Sequence, residues 1–157
     1  MNILLHEPEI PGNTGSVARV CAGTQTALHL SGELGFSLED KYLKRAGLDY
    51  WPRVPLQVHA DFDAALDAIG DTRVWAFSAR ATRSFWDVDY RPGDTLLFGG
   101  ETRGLPPELI ARFPAEQHLQ IPITDDIRSH NLANAVSIAL YEALRQGAGN
   151  LDLAGRE

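Results

Sequence analysis

Apolar residues fall in two rhythms along the chain. Short leucine-rich or β-branched runs occupy 2–6, 27–31, 56–59, 73–78, 95–98 and 118–121, and read as strands. Between them lie segments with apolar residues three or four apart, at 14–24, 38–46, 61–69, 106–112 and 131–146, which read as helices. Local chemistry sharpens several ends. Asn13 or Thr14 is suited to cap the first helix, and Asp61 the third, which Gly70 stops. Proline stands in the first turn of 106–112, and Gly147 follows the longest helix. Strands alternating with helices predict an α/β fold with a mostly parallel sheet and helices on both faces.

In such a sheet, ligands bind beyond the carboxyl ends of the strands. Three loops rich in polar and small residues follow strand ends, at 7–15, 99–104 and 124–131. The second is the most unusual. The run Leu96-Leu97-Phe98 stops on Gly99-Gly100 and places Glu101 and Arg103 in a pliable backbone before Gly104. A tight turn needs glycine but has no need of two charged side chains. A loop that receives a polar small molecule does.

The 157 residues suffice for one domain, 1–157, with a loose tail expected over 148–157. A domain of this size buries roughly 68–70% of its unfolded surface, so it folds without disulfide or metal support. The single cysteine, Cys21, lies among Val17, Ala18, Val20 and Ala22 and reads as a small core residue. His6, His29, His59, His118 and His130 are scattered without ligand spacing, so no metal site is expected. No signal segment or membrane span is evident, and a cytoplasmic protein is expected. The net charge of −7 weighs against non-specific nucleic-acid binding. A local basic segment, Lys41, Lys44, Arg45 and Arg53, is equally a solvated helix face. Neither the dinucleotide-binding G-x-G-x-x-G nor the phosphate-binding G-x-x-x-x-G-K-[ST] pattern is present.

Three segments in order, PEIPGNTGSVARVCAG (8–23), LLFGGETRGLP (96–106) and LQIPITDDIRSHNLANAVSIALYEA (119–143), resemble the SPOUT superfamily of RNA methyltransferases. They are most similar to its small single-domain members, which 2′-O-methylate the wobble nucleotide, cytidine or uridine 34, of certain tRNAs. The resemblance implies a C-terminal deep trefoil knot, a homodimer, a tRNA anticodon stem-loop as partner and S-adenosyl-L-methionine as cofactor. It implies cofactor contacts at Phe77, Gly99, Glu101, Ile121, Ser129 and Asn134. It places Arg19, Asn13, Glu101, Ser129 and Asn131 at the reaction centre, and Arg19, Lys41, Arg45 and Tyr141 towards RNA.

The residues read alone leave other roles open. Phe77 and Ile121 are apt for a core, Asn131 for a helix cap, Asn134 for a buried hydrogen-bonded amide and Tyr141 for interface packing. Gly99 and Gly100 serve either a close-lying ligand or a tight turn. Arg19 is a poor proton acceptor, because a guanidinium has a pKa above about 12, and orienting a phosphate or hydroxyl suits it better. Gly12 and Gly100 stand where members of the family usually have proline, Ser16 where they have asparagine, and His130 and Ala133 where they tend to have Met and Ser. A related methyltransferase for another tRNA position or for ribosomal RNA, a catalytically silent RNA-binding knot protein and a small-molecule methyltransferase are the alternatives.

Overall fold

The structure is a computed structural model that describes residues 1–39 and 51–149. Seven strands form one sheet: β1 (Asn2–His6), β2 (Ala27–Ser31), β3 (Leu56–His59), β4 (Val74–Phe77), β5 (Arg83–Ser84), β6 (Thr95–Gly99) and β7 (His118–Gln120). Their order across the sheet is β3-β2-β1-β6-β4-β7-β5, and all the pairings are parallel. Four α-helices are described: α1 (Pro11–Thr24), α2 (Phe62–Ile69), α3 (Pro107–Ile110) and α4 (Leu132–Arg145).

Strand side chains alternate between the two faces, and the core divides accordingly. Ile3, Leu5, Leu28, Leu30, Trp75, Phe77, Leu96 and Phe98 pack on α1 and α4, against Val17, Ala18, Cys21, Val136, Ala139 and Leu140. Leu4, Val74, Ala76 and Leu97 face the other way, onto Phe62 and Ala65 of α2 and Leu109 of α3. Both faces are therefore covered, which explains why β1 and β6 are continuous apolar runs rather than alternating ones.

Several boundaries differ from expectation. Helix α1 begins at Pro11, with Ile10 as its N-cap and no capping side chain. Proline at N1 supplies a backbone angle already suited to a helix, so Asn13 and Thr14 lie inside the first turn instead of capping it. Asp61 does cap α2, accepting from the Ala64 amide at 2.8 Å. Strand β5 and the 3-10 turn after it (Phe85–Asp87) were not expected, and α3 is shorter than the predicted 106–112. Most of the expected helix over 38–46 lies outside the described residues, as do Lys41 and Arg45. So does most of the expected loose tail, although Ala148 is buried and donates its amide to Ala143.

From β1 the chain winds outward through β2 to β3, then returns past β1 to build β4, β5, β6 and β7 on the other side. The order reverses between β1 and β6, which are hydrogen-bonded neighbours in register, His6 opposite Gly99. At such a reversal the loops leaving two adjacent strands diverge and open a crevice.

Candidate active site

The loops after β1 and β6 emerge side by side at that reversal and are laced together by carboxylates. Glu101 accepts from the backbone amides of Glu9, at 2.7 Å, and Ile10, at 3.2 Å. It also accepts from the Asn13 side-chain amide, Nδ2 to Oε1, at 2.9 Å. Starting α1 at Pro11 makes this possible, because the first turn carries Asn13 back towards the β6 loop. Asn13 Oδ1 in turn accepts from Asn131 Nδ2 at 2.9 Å. Asn131 uses its own Oδ1 to cap α4, accepting from Ala133 at 2.9 Å and Asn134 at 3.3 Å. Its expected capping role is borne out.

The polarity of this chain of bonds is fixed at both ends. The helix amides require an acceptor, so Asn131 presents Oδ1 to them and Nδ2 to Asn13. Asn13 must then present Oδ1 to Asn131 and Nδ2 to Glu101, whose carboxyl oxygen accepts. Glu101, Asn13 and Asn131, one from each motif segment, thus form a single ordered unit despite their distance in sequence.

Two glycines shape the loop. A Cβ on Gly99 would stand 2.1 Å from the Gly104 carbonyl carbon, and one on Gly100 would stand 2.5 Å from the Glu7 carbonyl oxygen. Glycine is required here by the approach of the protein's own backbone. The loop closes on itself, with the Gly104 amide donating to Gly100 at 2.9 Å.

The other expected site residues are placed less uniformly. Arg19 is exposed on α1. It is six residues beyond Asn13, hence about 9 Å along the axis and roughly 120° around it. Ser129 and Asn134 are exposed, so Asn134 is not the buried amide that its pattern suggested. The Phe77 side chain is buried and stacked on Phe98, with ring centroids 4.6 Å apart. Only its backbone is therefore available to a ligand at this edge.

Ile121 lines a cavity of about 460 Å³ with Phe85, Trp86, Pro122, His130 and Tyr141. Its size is within the range of small-molecule sites. His130 Nε2 is buried there without a hydrogen-bond partner, and Tyr141 is 54% exposed. A mainly apolar wall with polar groups from His130, Glu142 and Arg145 suits a flat ring with a polar edge, such as a nucleoside base. Of the expected cofactor residues, Ile121 lines this cavity, Gly99 and Glu101 belong to the β6 loop, and Phe77, Ser129 and Asn134 belong to neither. His130 was noted only as a departure from the family pattern, and Phe85 and Trp86 were not singled out from the sequence. Only a position in the fold, after the two-residue strand β5, reveals them.

At this edge the only histidine pairing among the described residues is that of buried His6, whose Nδ1 lies 3.1 Å from Ser31 Oγ and whose Nε2 lies 4.0 Å from Glu7 Oε1. Burial pushes the Cys21 thiol up to about 12, so it is inert as a nucleophile. Among the described residues no cluster of His, Cys, Asp or Glu suits a metal ion. What the edge does offer is positioning: backbone amides, two asparagines and a fixed carboxylate.

Comparison with known proteins gives this arrangement its relatives. The model of the SpoU rRNA methylase family matches residues 1–141. The chain belongs to the SpoU methylase family. The resemblance drawn from the three motifs is thereby borne out. The chain is 47% identical over 146 residues to the tRNA (cytidine(34)-2′-O)-methyltransferase of Escherichia coli strain K12, covering 93% of each protein. It is 51% identical, with a TM-score of 0.88, to a solved structure concerned with 2-OH methylation of C/U34 on tRNA, covering 95% of this chain and 97% of that one. A cofactor-bound (AdoMet) rRNA methyltransferase from Sinorhizobium meliloti is 29% identical with a TM-score of 0.80, covering 92% of this chain and 55% of that one. This family member matches the third relative over little more than half of that protein, but the first two over nearly their whole length.

Proposed function

We propose that this chain is an S-adenosyl-L-methionine-dependent methyltransferase acting on the ribose 2′-hydroxyl of nucleotide 34, cytidine or uridine, in tRNA. The observation that carries the reading is the hydrogen-bonded unit of Glu101, Asn13 and Asn131, which joins the three motif segments at the strand-order reversal. Similarity to tRNA (cytidine(34)-2′-O)-methyltransferases over nearly the whole chain supports the substrate assignment.

The cofactor supplies a methyl group already activated on a sulfonium. The backbone at Phe77, Gly99, Glu101 and Ile121, with Ser129 and Asn134, would hold it. What the chain must add is orientation of the hydroxyl, and ordering of two reactants removes roughly 7–11 kcal/mol of a barrier. Asn13 and Asn131 present amide groups fixed in direction by Glu101. Arg19 acts on the RNA as a cation, orienting phosphate and hydroxyl rather than accepting a proton. Lys41, Arg45 and Tyr141 extend the RNA-facing surface. The active form is a homodimer, each subunit a single domain with the C-terminal segment threaded as a deep trefoil knot, working in the cytoplasm.

The test is nucleoside mass spectrometry on tRNA from a strain lacking this gene, after incubation with pure protein and labelled S-adenosylmethionine. Label is expected in 2′-O-methylcytidine or 2′-O-methyluridine at position 34. Label confined to a methylated base, or found only in ribosomal RNA, would overturn the assignment.

A further inference from the structure

The lacing between the β1 and β6 loops runs in both directions. Glu101 on the β6 loop binds the amides of Glu9 and Ile10 on the β1 loop. Glu9 on the β1 loop binds back, accepting from the Thr102 amide at 3.1 Å and from the Thr102 hydroxyl. Each carboxylate thus satisfies donors on the opposite loop, and adjacent residues, Glu101 and Thr102, hold the two halves. Gly100 lies between them. A Cβ there would come 2.5 Å from the Glu7 carbonyl oxygen and 2.9 Å from Glu9 Oε1, so the two backbones approach this closely only because position 100 has no side chain.

We propose that Glu9 is a positioning residue: by holding Thr102 it locks the β6 loop in the one conformation in which Glu101 fixes Asn13, and through it Asn131. Glu101 sits in the turn two residues beyond β6, and its backbone alone does not set the direction of its carboxylate. Clamping the next residue does. The Thr102 hydroxyl, and next the Thr102 amide, hold the Glu9 carboxyl below the ordinary carboxylate range, so it is ionised at neutral pH and the clamp is charge-assisted. The Glu9 amide donates to Glu101 directly, but the Glu9 side chain bonds to Thr102 and reaches Asn13 and Asn131 only through the loop. The proposal rests on the reading of this edge as a methyl-transfer site.

The experiment compares full-length Glu9→Ala, Glu9→Gln, Thr102→Val and the double variant Glu9→Ala/Thr102→Val. Steady-state methyl transfer to tRNA is measured at saturating cofactor, with hydrogen exchange of the 100–104 amides and thermal melting. Glu9→Ala is expected to lower kcat on the order of 10- to 100-fold, the scale of a small misplacement of reacting groups, with KM for tRNA unchanged. Glu9→Gln should restore most of the rate, because its amide oxygen still accepts from the Thr102 amide. The double variant should be no slower than Glu9→Ala, since both changes break one clamp. Wild-type kcat in Glu9→Ala, or losses that multiply in the double variant, would overturn the proposal. Exchange distinguishes the two readings. If wild-type protein transfers no methyl group to tRNA but Glu9→Ala still exposes the 100–104 amides, the reaction assignment fails and the clamp stands. If those amides stay protected in Glu9→Ala, the clamp fails whatever the reaction.

Discussion

A histidine pair with one buried member makes the stability of this protein depend on pH by an amount that can be worked out. His29 on β2 is 3% exposed, and its Nδ1 lies 3.0 Å from His59 Nε2 on the neighbouring edge strand β3. The rings stack with centroids 5.2 Å apart. Burial, and next the proximity of His59, lower the His29 pKa from 6.5 to about 4. Between those values the unfolded chain takes up a proton that the folded chain refuses. The contribution is therefore intact above the unfolded value and is lost as pH falls towards 4. At 1.36 kcal/mol per pKa unit, a drop from pH 7 to pH 5 costs about 2 kcal/mol. For a chain of this size that is a fall in melting temperature of about 4–8 °C. Thermal and urea melts of wild type and His29→Leu at pH 7 and pH 5 give the answer. The variant should lose less stability by about that amount. It should keep a residual slope from His6, which burial shifts in the same direction. An identical pH dependence in the two proteins, or a His29 that titrates near 6.5 by NMR, would refute the reasoning.

Three further outcomes follow from the geometry. Arg19→Ala should abolish turnover while leaving cofactor affinity by calorimetry unchanged; a large loss of cofactor affinity would remove the RNA-orienting role. Asp94, 2% exposed, accepts from Arg73 Nε at 2.8 Å, Arg73 Nη2 at 2.7 Å, Trp75 Nε1 at 2.9 Å and the Arg91 amide at 3.0 Å. Asp94→Ala should cost about 1–3 kcal/mol in urea unfolding, because the buried Trp75 indole N–H loses its acceptor while Arg73 remains partly exposed to solvent. Gly100→Ala should destabilise by about 1–3 kcal/mol and slow methyl transfer, because backbone must move to admit the methyl group; wild-type melting and rate would show that the loops are not held at the observed distance.

How much of this was legible in the sequence depended on the range of the interaction. The strands at 2–6 and 27–31 were read correctly from their leucine-rich runs, and that at 56–59 from the alternation of Leu56 and Val58 with polar residues after Pro55. Strand β5 was not, since two residues such as Arg83 and Ser84 have no period to detect, and only pairing with β7 makes them a strand. The start of α1 was misplaced by a local ambiguity. Asn13-Thr14 looks like a cap, while the decisive feature was Pro11 two residues earlier. Motif order brought Asn13, Glu101 and Asn131 to attention, but that they bond directly to one another was beyond pattern reading. Glu9 escaped notice for the same reason: its partner Thr102 is 93 residues away. Sequence period reports what faces a core, and it is silent on which side chain spans two loops.

The self-closed β6 loop also bears on how such an enzyme can diversify. Gly100 and Gly104 are bridged to each other, and Gly99 leaves no space beside the Gly104 backbone. A loop so closed tolerates neither insertion nor a bulkier residue, so its length is effectively frozen. Any change of substrate preference, natural or engineered, has to be written elsewhere. The turn after β4, from Ser78 to Thr82, has the exposed surface to accept one.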